Sequence, residues 1–311
     1  MAKGYDQPLY ILPFDHRHSY GSEVFGYHEP MTPAQIADVA ASKQVIYDGF
    51  KLAVGAGIPK AAAGILVDEE FGAAILRDAQ AQGFIRAVPV EKSGQEEFDF
   101  EYGNDFAEHL DRFDATFVKV LVRYNTAGDA EGNARQRERL RKVSAYCLKS
   151  GRKFMFELLV PAEKPQLAQV AGSKPRYDLE LRPSLVVEAI RELQDAGIEP
   201  DVWKIEGLDR REDCERVVQA VRRAGPDGVD RSRVGCIVLG RGENEAKVLE
   251  WLCTAAGVPG FIGFAVGRSS FLNSIIALRA GKLTAAQASQ EIAGKYEEWT
   301  REFEQARDEQ T

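Results

Sequence analysis

The chain has 311 residues, 44% of them hydrophobic and 28% charged, which is long and apolar enough to bury one large core. Its formal net charge is −8, from 40 Lys and Arg against 48 Asp and Glu, a balance that favours solubility and leaves no basic footprint for nucleic acid. The first residues, Met1-Ala2-Lys3-Gly4-Tyr5-Asp6, lack an apolar signal region, and no apolar run reaches the roughly 18 residues of a membrane span. Cys147, Cys214, Cys236 and Cys253 form no CxxC pair, so the expectation is a reduced, cytoplasmic protein without a disulfide framework or a zinc ribbon.

Residues 9–15 form an apolar run ending in Asp15-His16-Arg17-His18, and a long loop follows. Thr32 as N-cap and Pro33 at the first position open a helix to about Val54. Residues 63–67 read as the second strand and run into Asp68-Glu69-Glu70, and the next helix is stopped by Gly83. The third strand, 85–90, ends at Glu91-Lys92, after which Asn104 is expected to cap a short helix to about Arg112. The fourth, 117–122, holds Lys119 and leads to Arg123-Tyr124-Asn125, and a charged helix over about 132–148 ends at Gly151. The fifth, 154–160, holds Glu157, and the stretch 161–182 after it reads as a long loop, often a functional feature in a compact fold. Ser184 is expected to cap a helix ending at Ala196-Gly197. The sixth strand lies in Asp201-Val202-Trp203-Lys204-Ile205-Glu206-Gly207, and Asp209 is expected to cap a helix to about Arg223. The seventh, 235–239, runs into Gly240-Arg241-Gly242 and a helix over about 243–256. The eighth, 260–266, runs into Gly267-Arg268-Ser269, and helices close the chain to about Ala306, with an acidic tail over about 307–311.

The strands are apolar without strict alternation, as in a parallel sheet covered on both faces. Strand followed by helix, eight times over, implies an α/β fold, a (β/α)8 TIM barrel spanning 1–311 as a single domain. An open doubly wound sheet is the alternative. It would want a Gly-rich phosphate turn after an early strand, and the first strand here ends in Asp-His-Arg-His instead.

In such a barrel the chemistry sits at the C-terminal ends of the strands. Lys119, Glu157 and Lys204 fall on three consecutive strands at comparable depth, and neighbouring strands are about 4.8 Å apart, so the three side chains are expected to converge. Burial disfavours an ammonium, two ammonium groups depress one another's pKa, and a carboxylate between them can move protons. That set suits a lysine that attacks a carbonyl to form a Schiff base. The plainer alternative for Lys204 is an ion pair with a carboxylate such as Glu206. Gly240-Arg241-Gly242 and Gly267-Arg268-Ser269 have the composition of a phosphate cradle at the place where these barrels hold one, the alternative being two tight glycine turns with exposed arginines. Asp15, His16 and His18 share one loop, but no later strand end offers a histidine to complete a zinc site, so no metal or other cofactor is expected.

Taken together, LPFDHRHS, ILVDEEFG, VKVLVRYN, FMFELLVP, DVWKIEGL, VLGRG and GFAVGRSSF resemble the class I aldolase-like barrel family. The likeness is to the 2-deoxy-5-keto-gluconate 6-phosphate aldolase-like domain of bacterial myo-inositol catabolism. It is similar more remotely to tagatose 1,6-bisphosphate and sulfofructose phosphate aldolases. The resemblance runs from about Leu9 to Trp299. It implies that Lys204 is the Schiff-base lysine, Glu157 the acid/base carboxylate, Lys119 the second lysine, and Asp15 a contact to substrate hydroxyls. Arg241 and Arg268 fall where the phosphate is held, and Arg17 or Arg123 would hold an acidic group at the far end of the substrate. The implied reaction is cleavage of a ketose phosphate to dihydroxyacetone phosphate and an aldehyde, with a small-molecule sugar phosphate as partner and a homo-oligomer as the usual assembly. The chain departs mildly from the family at Arg123-Tyr124-Asn125-Thr126 and Gly267-Arg268-Ser269-Ser270, which bears on substrate preference. A metal-dependent lyase using Asp15, His16 and His18, and a non-catalytic sugar-phosphate sensor, are the rival readings. Sensitivity to chelation would mark the first, and binding without turnover the second.

Overall fold

A computed structural model describes residues 3–225 and 228–309. Eight strands, β1 (Leu9–Pro13), β2 (Ala63–Leu66), β3 (Ile85–Pro89), β4 (Phe117–Arg123), β5 (Lys153–Leu159), β6 (Val202–Glu206), β7 (Gly235–Leu239) and β8 (Phe261–Ala265), follow one another around a closed parallel barrel. β1 pairs with both β2 and β8, which completes the ring. This is the (β/α)8 barrel that the strand–helix repetition implied. No helix among the described residues is long and apolar enough to cross a membrane.

Two apolar layers hold the barrel. Inside it, Leu9, Ile11, Leu66, Ala87, Phe117, Met155, Val202, Ile237 and Ala265 make a plug. Outside it, the opposite faces of the strands pack on the helices in one continuous core. Side chains alternate along a strand, so the inward rows can be followed upward. Phe117 is followed two residues later by Lys119, Met155 by Glu157 and Val202 by Lys204, while the row through Ile11 reaches Asp15 and the row through Ala87 reaches Glu91. Each row changes from apolar to ionisable near the strand end, and this change places the site.

The first and last long helices pack against each other and close the outer layer. Pro33–Ala56 starts at a capping box of Thr32 and Gln35, and Ala285–Asp308 starts at one of Thr284 and Gln287. The Tyr296 hydroxyl donates to the Tyr10 carbonyl at 2.7 Å and ties the last helix to β1. β8 closes on β1 at Gly263, which is opposite Leu9. A Cβ there would stand 1.9 Å from the Leu9 carbonyl oxygen. Gly263→Ala is therefore expected to lower unfolding stability by on the order of 3 kcal/mol, because the backbone of β1 must move. Urea unfolding of the variant checks this.

Several local readings change. Asn104 lies in a 3-10 turn, Gly103–Asp105, and makes no side-chain cap to the helix Phe106–Arg112. Ser184 lies inside a helix that begins at Arg182, with Pro183 setting the earlier start. The helix after β6 begins at Arg211, and Asp209 accepts instead from Trp251 Nε1 at 2.6 Å and pairs with Lys247 at 2.7 Å. A tertiary partner outcompetes the helix end in that case. The stretch after β5 is folded into Lys164–Gln169, Lys174–Arg176 and the wide turn Tyr177–Leu181, and the stretch after Arg17 into His18–Tyr20 and Gly21–Phe25. The last helix takes in Arg307 and Asp308 of the expected tail, and Gln310 and Thr311 lie outside the described residues.

Candidate active site

Glu157 and Lys204 are register partners across β5 and β6. Lys119 lies one inward step lower on β4, where Leu121 is the partner of Glu157. The three side chains meet: Glu157 Oε2 is 2.9 Å from Lys119 Nζ, and its Oε1 is 2.9 Å from Lys204 Nζ. Lys119 is also 2.9 Å from Asp15 Oδ2 and 2.5 Å from Glu91 Oε1. One buried lysine thus neutralises three carboxylates, whereas Lys204 has Glu157 as its carboxylate partner.

The electrostatics follow from this count. Burial would lower the Lys119 ammonium, but Asp15, Glu157 and Glu91 outweigh it and hold Lys119 well above the ordinary lysine range. The sequence reading expected the two ammonium groups to depress one another, and for Lys119 the carboxylates reverse the sign. Burial pushes Glu157 and Asp15 up, yet the lysines win and both carboxyls lie below their ordinary values. His16 behaves oppositely. Burial, helped by Arg268 and Lys204 and opposed by Asp15, takes its imidazole down from 6.5 to about 4.

These shifts set the stability profile. The depressed Asp15 contributes stability that is present above its ordinary value of 3.8 and is lost as pH falls through the folded-state value. The raised Lys119 contributes stability that is complete below 10.5 and is lost as pH rises through its higher folded-state value. Between 6.5 and about 4 the unfolded chain binds a proton at His16 that the folded site refuses. Acidification is therefore expected to cost stability from pH 6.5 downward, by at most about 1.4 kcal/mol per pH unit from this group. Urea midpoints between pH 4 and pH 9 measure it, and His16→Gln should lose this first part of the acid limb.

The groups singled out in the sequence, Asp15, Arg17, Lys119, Arg123, Glu157, Lys204, Gly240, Arg241, Gly242, Gly267 and Arg268, all line one cavity of about 450 Å³ at the C-terminal end of the barrel. Their availability differs. Arg17 is buried, with Nη1 donating to Glu101 at 2.9 Å and Nη2 to the Glu91 carbonyl at 2.6 Å. Arg123 is part-exposed and donates from Nη1 to the Gln95 carbonyl at 2.6 Å. Arg241 was read as a phosphate ligand, but here it makes a two-pronged pair with Asp178, at 3.0 and 2.9 Å, and lies 3.4 Å from Glu206. Arg182 donates to the same Asp178 at 2.8 Å. Arg268 has no carboxylate partner among the described residues and lies against Gly242, where a Cβ would stand 2.5 Å from its Nη2. Gly242 also has φ +75, so both the turn and the close approach require glycine.

The profile of the family described as "Uncharacterized protein conserved in bacteria (DUF2090)" matches residues 2–307. The chain belongs to the DUF2090 family. No match to it was found among curated proteins. Among solved structures, this DUF2090 barrel is similar to fructose-bisphosphate aldolase from Plasmodium falciparum, solved with TRAP and a small-molecule inhibitor. The TM-score is 0.65 at 15% identity, over 94% of this chain and 89% of that one. An archaeal fructose 1,6-bisphosphate aldolase matches with TM-score 0.58 and 13% identity, over 94% and 95% of the two chains. A Schiff base forming fructose-1,6-bisphosphate aldolase matches with TM-score 0.57 and 13% identity, over 94% and 93%. At these identities the likeness is one of fold, that of an aldolase-like TIM barrel.

Two residues of the DUF2090 site escaped the sequence reading. Glu91 carries no local mark of a role beyond its place after a strand, although counting in twos from Ala87 aims it inward. His16 was weighed only as a metal ligand with Asp15 and His18. His18 instead lies 3.5 Å from Glu29 beside a separate surface hollow, so the three do not converge. Among the described residues no group of three or more His, Cys, Asp and Glu is placed to hold a metal. Asp178 and Arg182, which occupy Arg241 and brace the end of β6, had no sequence signal, because their partners come from distant segments.

Proposed function

We propose that the protein is a class I aldolase that cleaves a ketose phosphate through a Schiff base on Lys204. The observation that carries this reading is the inequality of the two lysines. Lys119 is committed to three carboxylates, while Lys204 shares one carboxylate and lines the cavity. The aldolase-like fold and the motif resemblance support the same chemistry, and the fold by itself would not decide it.

In this reading Glu157 takes a proton from Lys204 across 2.9 Å, which frees the amine to attack the substrate carbonyl. The same carboxyl then returns the proton to the carbinolamine hydroxyl, which leaves as water. Lys119 stays charged throughout and holds Glu157 and Asp15 in place. The iminium draws electrons from the neighbouring carbon–carbon bond, which breaks to give an enamine and an aldehyde. Asp15 orients the hydroxyl beside that bond, and Glu157, a carboxylate again after the water has left, takes the hydroxyl proton as the aldehyde carbonyl forms. Arg268, the free guanidinium of the β7–β8 rim, holds the phosphate with the amides of Gly242 and Gly267, while Arg241 braces Asp178. With both Nη groups of Arg17 engaged, Arg123 is the better placed to meet an acidic group at the far end of the substrate. The substrate is then 2-deoxy-5-keto-gluconate 6-phosphate or a similar acidic sugar phosphate, and dihydroxyacetone phosphate is the shared product. Sulfofructose phosphate and tagatose 1,6-bisphosphate are the next substrates to assay.

Borohydride reduction in the presence of dihydroxyacetone phosphate, followed by peptide mass spectrometry, tests this. A reduced adduct is expected on the peptide bearing Lys204. An adduct on Lys119 would exchange the lysines' roles, and activity that EDTA removes without any adduct would refute the Schiff base.

A further inference from the structure

The reaction outlined above leaves the imidazole of the cavity unused. His16 lines it beside Asp15, Lys204, Gly267 and Arg268. Its ring meets Phe271 edge-on at 6.2 Å between centroids, and its Cε1 lies 3.5 Å from where a Cβ on Gly267 would stand. The imidazole therefore shares one cavity with the lysine of β6 and the arginine that follows β8, and lies against the glycine that precedes that arginine. Among the described residues neither ring nitrogen has a hydrogen-bond partner, and Nδ1 is fully buried. Buried polar groups are nearly always paired, so an unpaired imidazole in a cavity wall is a group that waits for a ligand.

The surrounding carboxylates are already engaged. Glu157 has one oxygen on each lysine, and Asp15 and Glu91 each have an oxygen on Lys119. We propose that His16 is a catalytic acid/base of the enamine stage, and that its Nε2 removes and returns the proton on the substrate carbon next to the imine carbon. This rests on the Schiff-base reading of Lys204. In the imine of dihydroxyacetone phosphate, a C–H bond of the hydroxymethyl carbon breaks and its proton goes to Nε2. The bonding pair becomes the carbon–carbon double bond of the enamine, and the π pair of the imine settles on the lysine nitrogen. The reverse step reprotonates the carbon and completes the cleavage half-reaction. The ring is uncharged near neutral pH, as the step requires, and Asp15 next to it stabilises the imidazolium that forms.

The test separates this step from imine formation. The protein is incubated with dihydroxyacetone phosphate in D2O, deuterium entry at the hydroxymethyl carbon is followed by NMR, and a parallel sample is reduced with borohydride. The wild type should exchange. His16→Gln and His16→Ala should slow exchange by about 10²–10⁴-fold while still giving the Lys204 adduct, which also reports a folded site. Unchanged exchange in both variants would pass the step to Glu157 and overturn the proposal. Loss of the adduct in both would make His16 a requirement for imine formation instead, and would also overturn it. No adduct in the wild type would refute the Schiff-base reading itself, and this inference with it.

Discussion

Lys204→Met is expected to abolish turnover, by at least about 10⁴-fold in kcat, on whichever ketose phosphate the wild type cleaves, because the other buried lysine of the cavity, Lys119, is held charged by three carboxylates. The fold should survive. Methionine fills most of the space of the lysine stem, and the 2.9 Å contact to Glu157 is the ion pair that disappears. Glu157 keeps Lys119 on its other oxygen, so stability should change by no more than about 2 kcal/mol. The borohydride adduct should vanish with the activity. Turnover retained in this variant would sink the covalent role of Lys204. Lost turnover together with a lost fold would mean that Lys204 is a structural cation like its neighbour.

Lys119→Met should do the opposite to stability. It strips three carboxylates, Asp15, Glu91 and Glu157, of their common counter-ion in a site where Lys119 itself is 1% exposed. Breaking a buried pair by removing one partner typically costs about 3–5 kcal/mol. The pH dependence gives a second readout. In the wild type, Asp15 and Glu157 lie below their ordinary values, so acidification removes stability. Without Lys119 the two carboxyls are less depressed, although Lys204 still lies 2.9 Å from Glu157. A carboxyl less depressed in the folded state loses less stability as pH falls, so the variant should lose less stability than the wild type on moving from pH 8 to pH 4. Urea unfolding at the two pH values measures both effects. A variant as stable as the wild type, with an unchanged acid limb, would mean that Lys119 is not the charge that holds these acids.

The contrast between the two lysines shows where sequence reading stops. Both lie in short apolar strands, and both look alike as a lysine flanked by hydrophobic residues. What separates them is the number of carboxylates each one meets, and those come from β5 and from just beyond the ends of β1 and β3, up to 104 residues away in the chain. The same holds for the two arginines of the phosphate rim. Arg241 and Arg268 follow equivalent glycines, yet Asp178, 63 residues from Arg241, occupies the first and leaves the second free. Neither fact has a local signature. The helix caps misread at Asn104, Ser184 and Asp209 failed for a related reason. A capping side chain is a weak preference of order 1 kcal/mol, and a proline or a tertiary partner overrides it.

By itself the sequence determined the eightfold strand–helix alternation and the strand positions to within about two residues. These depend on hydrophobic runs and on the turn and cap residues between them, which are properties of neighbours along the chain. The tertiary structure alone decided which ionisable groups meet, which charges are neutralised, and which side chains remain free to react. Those are sums over groups brought together by barrel closure. In a buried site the sign of a pKa shift depends on the balance between burial and the charges that happen to surround it.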